Sequence, residues 1–215
     1  MLIEAAIDSA EDAERAVAEG ALRLEVCGDL ATGGVTPPVA LLRRCLGLGV
    51  PCVAMARPRG GSFIFSAAEE ERIVADAQSM LNTGAHGIVF GSLRVDGRID
   101  VDSVRRMVRV ASGAETVFHR AFDRTPDALA GLETLIDCGV TRILTSGHAP
   151  TALEGVAEIG ALMEHAGGRI TILPGGTVRG ENVRDIVRGT GARQVHARGS
   201  VAGVIAGIRH ALAVL

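Results

Sequence analysis

The chain has 215 residues, with 22 basic and 25 acidic side chains and a formal charge of −3, so electrostatics give no case for a nucleic-acid partner. All 22 basic residues are Arg, which excludes Schiff-base aldolase chemistry, pyridoxal phosphate attachment and a Walker-loop lysine. Tyr and Trp are absent as stacking platforms, and at 47% hydrophobic content no apolar run is long enough to span a membrane.

Residues 1–4 enter structure without a basic region followed by an apolar stretch, which predicts a cytoplasmic protein without a signal peptide. Short apolar runs then alternate with longer, Ala-rich amphipathic segments. The predicted order is strand 2–7, helix 9–19, strand 22–27, helix 38–48, strand 52–56 and helix 67–83. It continues with strand 87–90, helix 101–111, strand 116–119, helix 126–138, strand 142–145 and helix 151–165. Strand 170–173, helix 181–188, strand 194–197 and helix 201–215 complete it. Glycines at 20, 49, 84, 139 and 191 stop helices before the next strand. Eight strands in strict alternation with eight helices predict a parallel sheet, closed as a compact single-domain (β/α)8 TIM barrel over residues 1–215. A doubly wound open sheet is the competing arrangement, but no G-x-G-x-x-G follows the first strand. Asp96-Gly97 marks a tight turn in a small flap after the fourth strand.

In such a barrel the strand ends that feed the helices form the ligand face. After the third strand comes Arg57-Pro58-Arg59-Gly60-Gly61. Pro58 restricts the backbone, the two arginines suit phosphate or carboxylate, and the Gly pair lets a ligand approach closely. An ordinary polar turn with surface arginines would look the same in isolation. After the fifth strand, His119 stands beside Arg120 and near Asp123. An imidazole by a fixed cation is a candidate general acid/base, held neutral by that cation. Gly175 and Gly176 follow the seventh strand, and His196 lies on the eighth with Arg198 two residues on. Loops in these positions bind phosphate in many barrels. The Ser146-Gly147 turn offers hydroxyl and amide donors.

Period-2 alternation sets Glu4 beside Ala6, and Arg23 beside Glu25 and Cys27, on the faces opposite the apolar side chains. Those charges therefore point into the barrel. Glu25 is either part of an ion-pair layer filling the barrel or a proton-transfer group. Cys27, His119 and His196 could reach one region, and thiolate with imidazole suits Cu(I). Cys52 starts its strand at the opposite barrel end, while Cys45 and Cys138 fall in helical segments as small buried hydrophobes.

The Arg57–Gly61 run, Glu25-Val26-Cys27 with Gly33-Gly34-Val35-Thr36-Pro37, Phe118–Asp123, Leu144–Gly147, Ala152–Gly155 and Pro174–Gly176 together resemble the CutC copper-homeostasis family. The similarity runs in order through nearly the whole chain. It implies a (β/α)8 barrel, a cytoplasmic location, a homodimer or higher homo-oligomer, and a role in copper homeostasis with Cu(I) at Cys27. Family members with a cysteine pair carry one near the end of the first strand, where this chain has Ala6. Two functions stay open: copper binding through Cys27, or an enzyme or binder for a small anionic, phosphorylated molecule. In the second, Arg57, Arg59 and the Gly175-Gly176 loop hold the anion and His119 moves a proton.

Overall fold

Alternating side chains along each short strand divide the core of this protein in two. The computed structural model describes residues 1–213. Its elements run β1 (Leu2–Ile7), α1 (Ala10–Glu19), β2 (Arg23–Val26), α2 (Val39–Leu46), β3 (Cys52–Met55), α3 (Ala67–Thr83), β4 (Gly87–Phe90) and α4 (Val101–Ala111). They continue β5 (Glu115–Phe118), α5 (Ala128–Cys138), β6 (Arg142–Thr145), α6 (Val156–Ala166), β7 (Thr171–Pro174), α7 (Val183–Thr190), β8 (Gln194–Arg198) and α8 (Val204–Leu212). All ladders are parallel, in the order β7-β6-β5-β4-β3-β2-β1-β8. β7 and β8 come together without a shared ladder and close the (β/α)8 barrel as one domain.

Ile3, Ala5 and Ile7 of β1, with Leu24 and Val26 of β2, face the helices and join the outer core. The intervening positions point inward. Ala6, Val53, Met55, Val89, Val117, Leu144 and Leu173 form an apolar plug inside the barrel. Beneath it lies an ion-pair layer. Arg23 Nε is 2.5 Å from Glu4 Oε2 and its Nη2 is 2.6 Å from Glu115 Oε1. Arg142 Nε lies 3.1 Å from Glu115, and its Nη1 donates to Gln194 at 2.6 Å. Charges this deep are tolerable because each has a partner.

Local chemistry sets the helix ends. Ser66 and Glu69 form a reciprocal capping box at α3, and Ser9 accepts the Asp12 amide at α1. α6 begins at Val156, later than the expected 151, because residues 151–155 turn against the β6 loop. A Cβ at Gly155 would lie 1.9 Å from the Ser146 carbonyl oxygen, so only glycine permits this approach. α8 begins at Val204, since residues 200–203 form turns, and the expected helical positions 214–215 lie outside the described residues. The flap after β4 is present, with Leu93 and Ile99 bridged and Gly97 at its tip. Among the described residues no helix is long and apolar enough to cross a membrane.

Candidate functional site

The C-terminal ends of the strands surround a cavity of about 420 Å³. Glu25, Arg57, His119, Arg120, Arg179, His196 and Arg198 line it, with Ala6, Met55 and Leu144 at its apolar base. A wider cleft of about 1060 Å³ adjoins it beneath the flap and shares Gly33, Arg57, Phe63 and Arg120.

Arg57 stands where β3 ends, and it is only 4% exposed. Nη1 donates to the Gly33 and Gly34 carbonyls at 3.2 and 3.1 Å, and Nη2 donates to Gly61 at 2.8 Å. Its guanidinium also packs 4.7 Å from the Phe63 ring centroid. Burial, and then the neighbouring Arg59 charge, pushes its pKa down. Among the described residues no carboxylate pairs with it. Arg57 is thus a buried cation whose Nη atoms meet carbonyl dipoles, while its Nε has no partner and no counter-charge stands beside it among the described residues.

Arg59 turns the other way. It donates to Glu69 at 2.6 Å and to the Ser62 and Ile64 carbonyls, packs on Phe65, and lines neither cavity. Pro58 separates the two side chains onto opposite sides of the loop, so the expected clamp contributes one arginine to the mouth. Gly61 lines the outer cleft, whereas Gly60 packs against Thr32, whose carbonyl oxygen would be 2.9 Å from a Cβ.

His119 is 4% exposed. Its Nδ1 accepts the Ala121 amide at 3.1 Å, which assigns the proton to Nε2. The ring packs against Phe63 with centroids 4.9 Å apart. On the β4 side a Cβ at Gly91 would come within 2.5 Å of His119 Cε1. Burial, and then Arg57, lowers its pKa to about 3. The expected general base is therefore a neutral imidazole whose acceptor nitrogen is already engaged.

Asp123 lines the outer cleft, and its carboxylate braces the mouth through hydrogen bonds within the protein. Its carboxylate accepts Arg120 Nε at 2.8 Å, the Ser146 amide at 3.1 Å, the His148 amide at 3.3 Å and the Thr145 hydroxyl. The donors expected for a ligand in the Ser146-Gly147 turn are consumed internally, and the Gly147 amide bonds to Thr145 Oγ1 at 2.9 Å. Ser146 Oγ accepts Arg120 Nη2 at 2.6 Å, which fixes that guanidinium at the cavity edge. Gly176, at φ 110°, lets the β7 loop lie against it, and Gly175 bonds back to the Thr145 carbonyl.

His196, Glu4 and Glu25 form one buried group. His196 Nδ1 is 2.7 Å from Glu4 Oε1 and 3.5 Å from Glu25 Oε2. Burial opposes the charge on Glu4, but the His196 hydrogen bond and Arg23 prevail and lower its pKa. Burial raises Glu25. Burial also opposes the His196 cation, yet the Glu25 and Glu4 carboxylates raise its pKa overall. Among the mouth residues that the sequence did not single out are Arg179 and Phe63. Arg179 lies in the loop after Gly175-Gly176, a segment already marked for phosphate, and Phe63 follows the Gly60-Gly61 pair by two residues.

The residues present do not fit a Cu(I) centre. Cys27 is fully buried and donates to Glu25 Oε1 at 3.1 Å; burial and that carboxylate push its pKa well up, opposing the thiolate that Cu(I) needs. Cys52 faces the outer core, with Cys45 of α2 and Cys138 of α5. Ligand atoms of Glu4, Glu25 and His196 do lie within 4.8 Å of one another. Two of these are hard carboxylates, and Glu4 is already held by Arg23.

Fold and mouth together define a single-domain (β/α)8 barrel with a cationic cavity over its strand ends. The CutC family model matches residues 1–201, so the chain belongs to the CutC family. It is 42% identical over 197 residues to the family protein CutC of Histophilus somni, covering 91% of this chain and 81% of that one. It is 41% identical over 196 residues to the human copper homeostasis protein cutC homolog, covering 91% of this chain and 72% of that one. The crystal structure of CutC from Streptococcus agalactiae superposes with a TM-score of 0.86 at 31% identity, covering 91% and 97% of the two chains. The chain is thus a homologue of proteins named for copper homeostasis.

Proposed function

We propose that this CutC-family barrel takes a small phosphorylated molecule at its mouth, with Glu25 and His196 as the groups that hold and move protons. Arg57 carries the reading: a buried cation facing a cavity without a counter-charge is completed by a bound anion. Arg120, Arg179 and Arg198 line the same space against one carboxylate, Glu25. Its volume of about 420 Å³ suits a metabolite of a few carbons. A part in copper homeostasis, which the family name carries, would then not rest on a Cu(I) thiolate at Cys27.

Thermal unfolding with a panel of phosphorylated three- to six-carbon compounds tests this. A ligand at a hundredfold excess over its Kd adds about 2.7 kcal/mol, or roughly 5–10 °C for a domain of this size. Arg57→Ala should remove that shift. No shift across the panel would sink the reading, and stoichiometric Cu(I) binding abolished by Cys27→Ser would put copper in its place.

A further inference from the structure

Among the described residues, two buried donors at the mouth have no partner, Arg57 Nε and His119 Nε2, and the second sits on a neutral ring in a residue only 4% exposed that lines the cavity. A buried N–H without an acceptor costs about 1–3 kcal/mol, so its retention needs a reason. Its direction is fixed three ways. The Ala121 amide holds Nδ1, Phe63 packs against the ring, and Gly91 leaves room on the β4 side for nothing larger than hydrogen. A ring so constrained is preorganised to donate one hydrogen bond into the cavity.

We propose that the His119 Nε2–H polarises a carbonyl oxygen of the bound anion, and that the ligand is a phosphorylated α-hydroxy aldehyde or ketone undergoing a 1,2-proton transfer. This rests on the phosphorylated-ligand reading above. Arg57 and Arg120 supply the phosphate charge balance, while Glu25, three strands from His119 around the barrel, lines the same cavity. The Glu25 carboxylate takes the proton from the carbon beside the carbonyl. That C–H electron pair becomes the C=C bond of an enediolate, and the carbonyl π pair moves onto the oxygen held by Nε2–H. The proton returns to the neighbouring carbon, and the hydroxyl proton passes between the two oxygens. The isomer forms with no oxidant and no net change of charge. A neutral imidazole suits this task, because its N–H better matches the acidity of an enediol than an imidazolium would. Burial and the Arg57 charge keep it neutral, with a pKa of about 3.

The test compares 2-phosphoglycolate, whose carboxylate mimics an enediolate, with ethyl phosphate, which lacks it, by calorimetry. Wild type should prefer 2-phosphoglycolate. His119→Gln places an amide N–H near the Nε2 position and should keep that preference within about threefold. His119→Asn is too short, and should cut it by about 10–100-fold, the value of a hydrogen bond to a charged acceptor. Equal affinity of wild type for the two compounds, or an unchanged preference in His119→Asn, overturns the role. If neither compound binds, the phosphorylated-ligand reading itself fails. ¹⁵N NMR of wild type gives a second check: His119 should remain the neutral Nε2–H tautomer from pH 5 to 8. Titration in that range, or the Nδ1–H tautomer, overturns the proposal.

Discussion

At the scale of single residues, Gly91 shows how tightly the mouth is built. Its backbone is not in the left-handed region, so space alone decides what it can become. A Cβ there would meet His119 Cε1 at 2.5 Å and Nδ1 at 2.6 Å, and the far side of the ring is closed by Phe63. The imidazole would have to leave the Ala121 amide. Gly91→Ala should therefore cost about 1–3 kcal/mol in urea unfolding, as overpacking does, and the His119 ¹⁵N signals should shift. Unchanged stability and spectra would show that the ring is free to move. Period-2 alternation made the inward course of Glu4, Arg23 and Glu25 legible from sequence, because it is a property of the strand alone. The fate of Arg59 was not legible. Its direction depends on Glu69, ten residues away, and on the carbonyls of a loop whose path no local pattern fixes.

At the scale of elements, the strands fell where apolar runs placed them, while the starts of α6 and α8 shifted. A run of residues such as 142–145 has few alternatives once buried on both faces. Residues 151–155 read as helix by composition, but the β6 loop packs against them and delays the first turn. That loop is held by Asp123, and sequence could mark this residue as polar without showing that it would consume the loop's own amides. Asp123→Ala would leave the Ser146 and His148 amides and Arg120 Nε without their acceptor. The expected cost is about 2–4 kcal/mol, since several buried donors lose one partner. Arg120 would keep only its Ser146 Oγ contact, so ethyl phosphate should also bind more weakly. Asp123→Asn keeps one acceptor oxygen and should fall between the two in both measurements. An alanine variant with wild-type melting temperature and affinity would mean that the brace is ornamental.

At the scale of the whole molecule, the barrel's buried histidines set the pH at which it is most stable. His119 has its pKa lowered from 6.5 to about 3, so between those values the unfolded chain holds a proton that the folded protein refuses. Stability therefore rises with pH across that window, with a limiting slope of about 1.4 kcal/mol per pH unit. His196 works in the opposite sense. Burial opposes its charge, but Glu25 and Glu4 raise its pKa above 6.5. The stabilisation is complete below 6.5 and is lost as pH climbs through the folded value. Glu4, with its pKa lowered from 4.5, adds stability above that value and loses it in acid. Glu25, raised from 4.5, loses stability as pH rises through its folded value. The groups facing His196 are thus two carboxylates, with Arg23 behind one of them. The two histidines by themselves place the maximum near pH 6.5, where the His119 gain has saturated and the His196 loss has yet to begin, while Glu25 blunts the rise above pH 4.5. Replacing His196 with Gln should lower the peak and flatten the alkaline fall between pH 6.5 and 8. Urea midpoints measured at half-unit steps read this directly. An alkaline slope that survives His196→Gln unchanged would place the proton elsewhere in the barrel and remove the charged imidazole from the mouth.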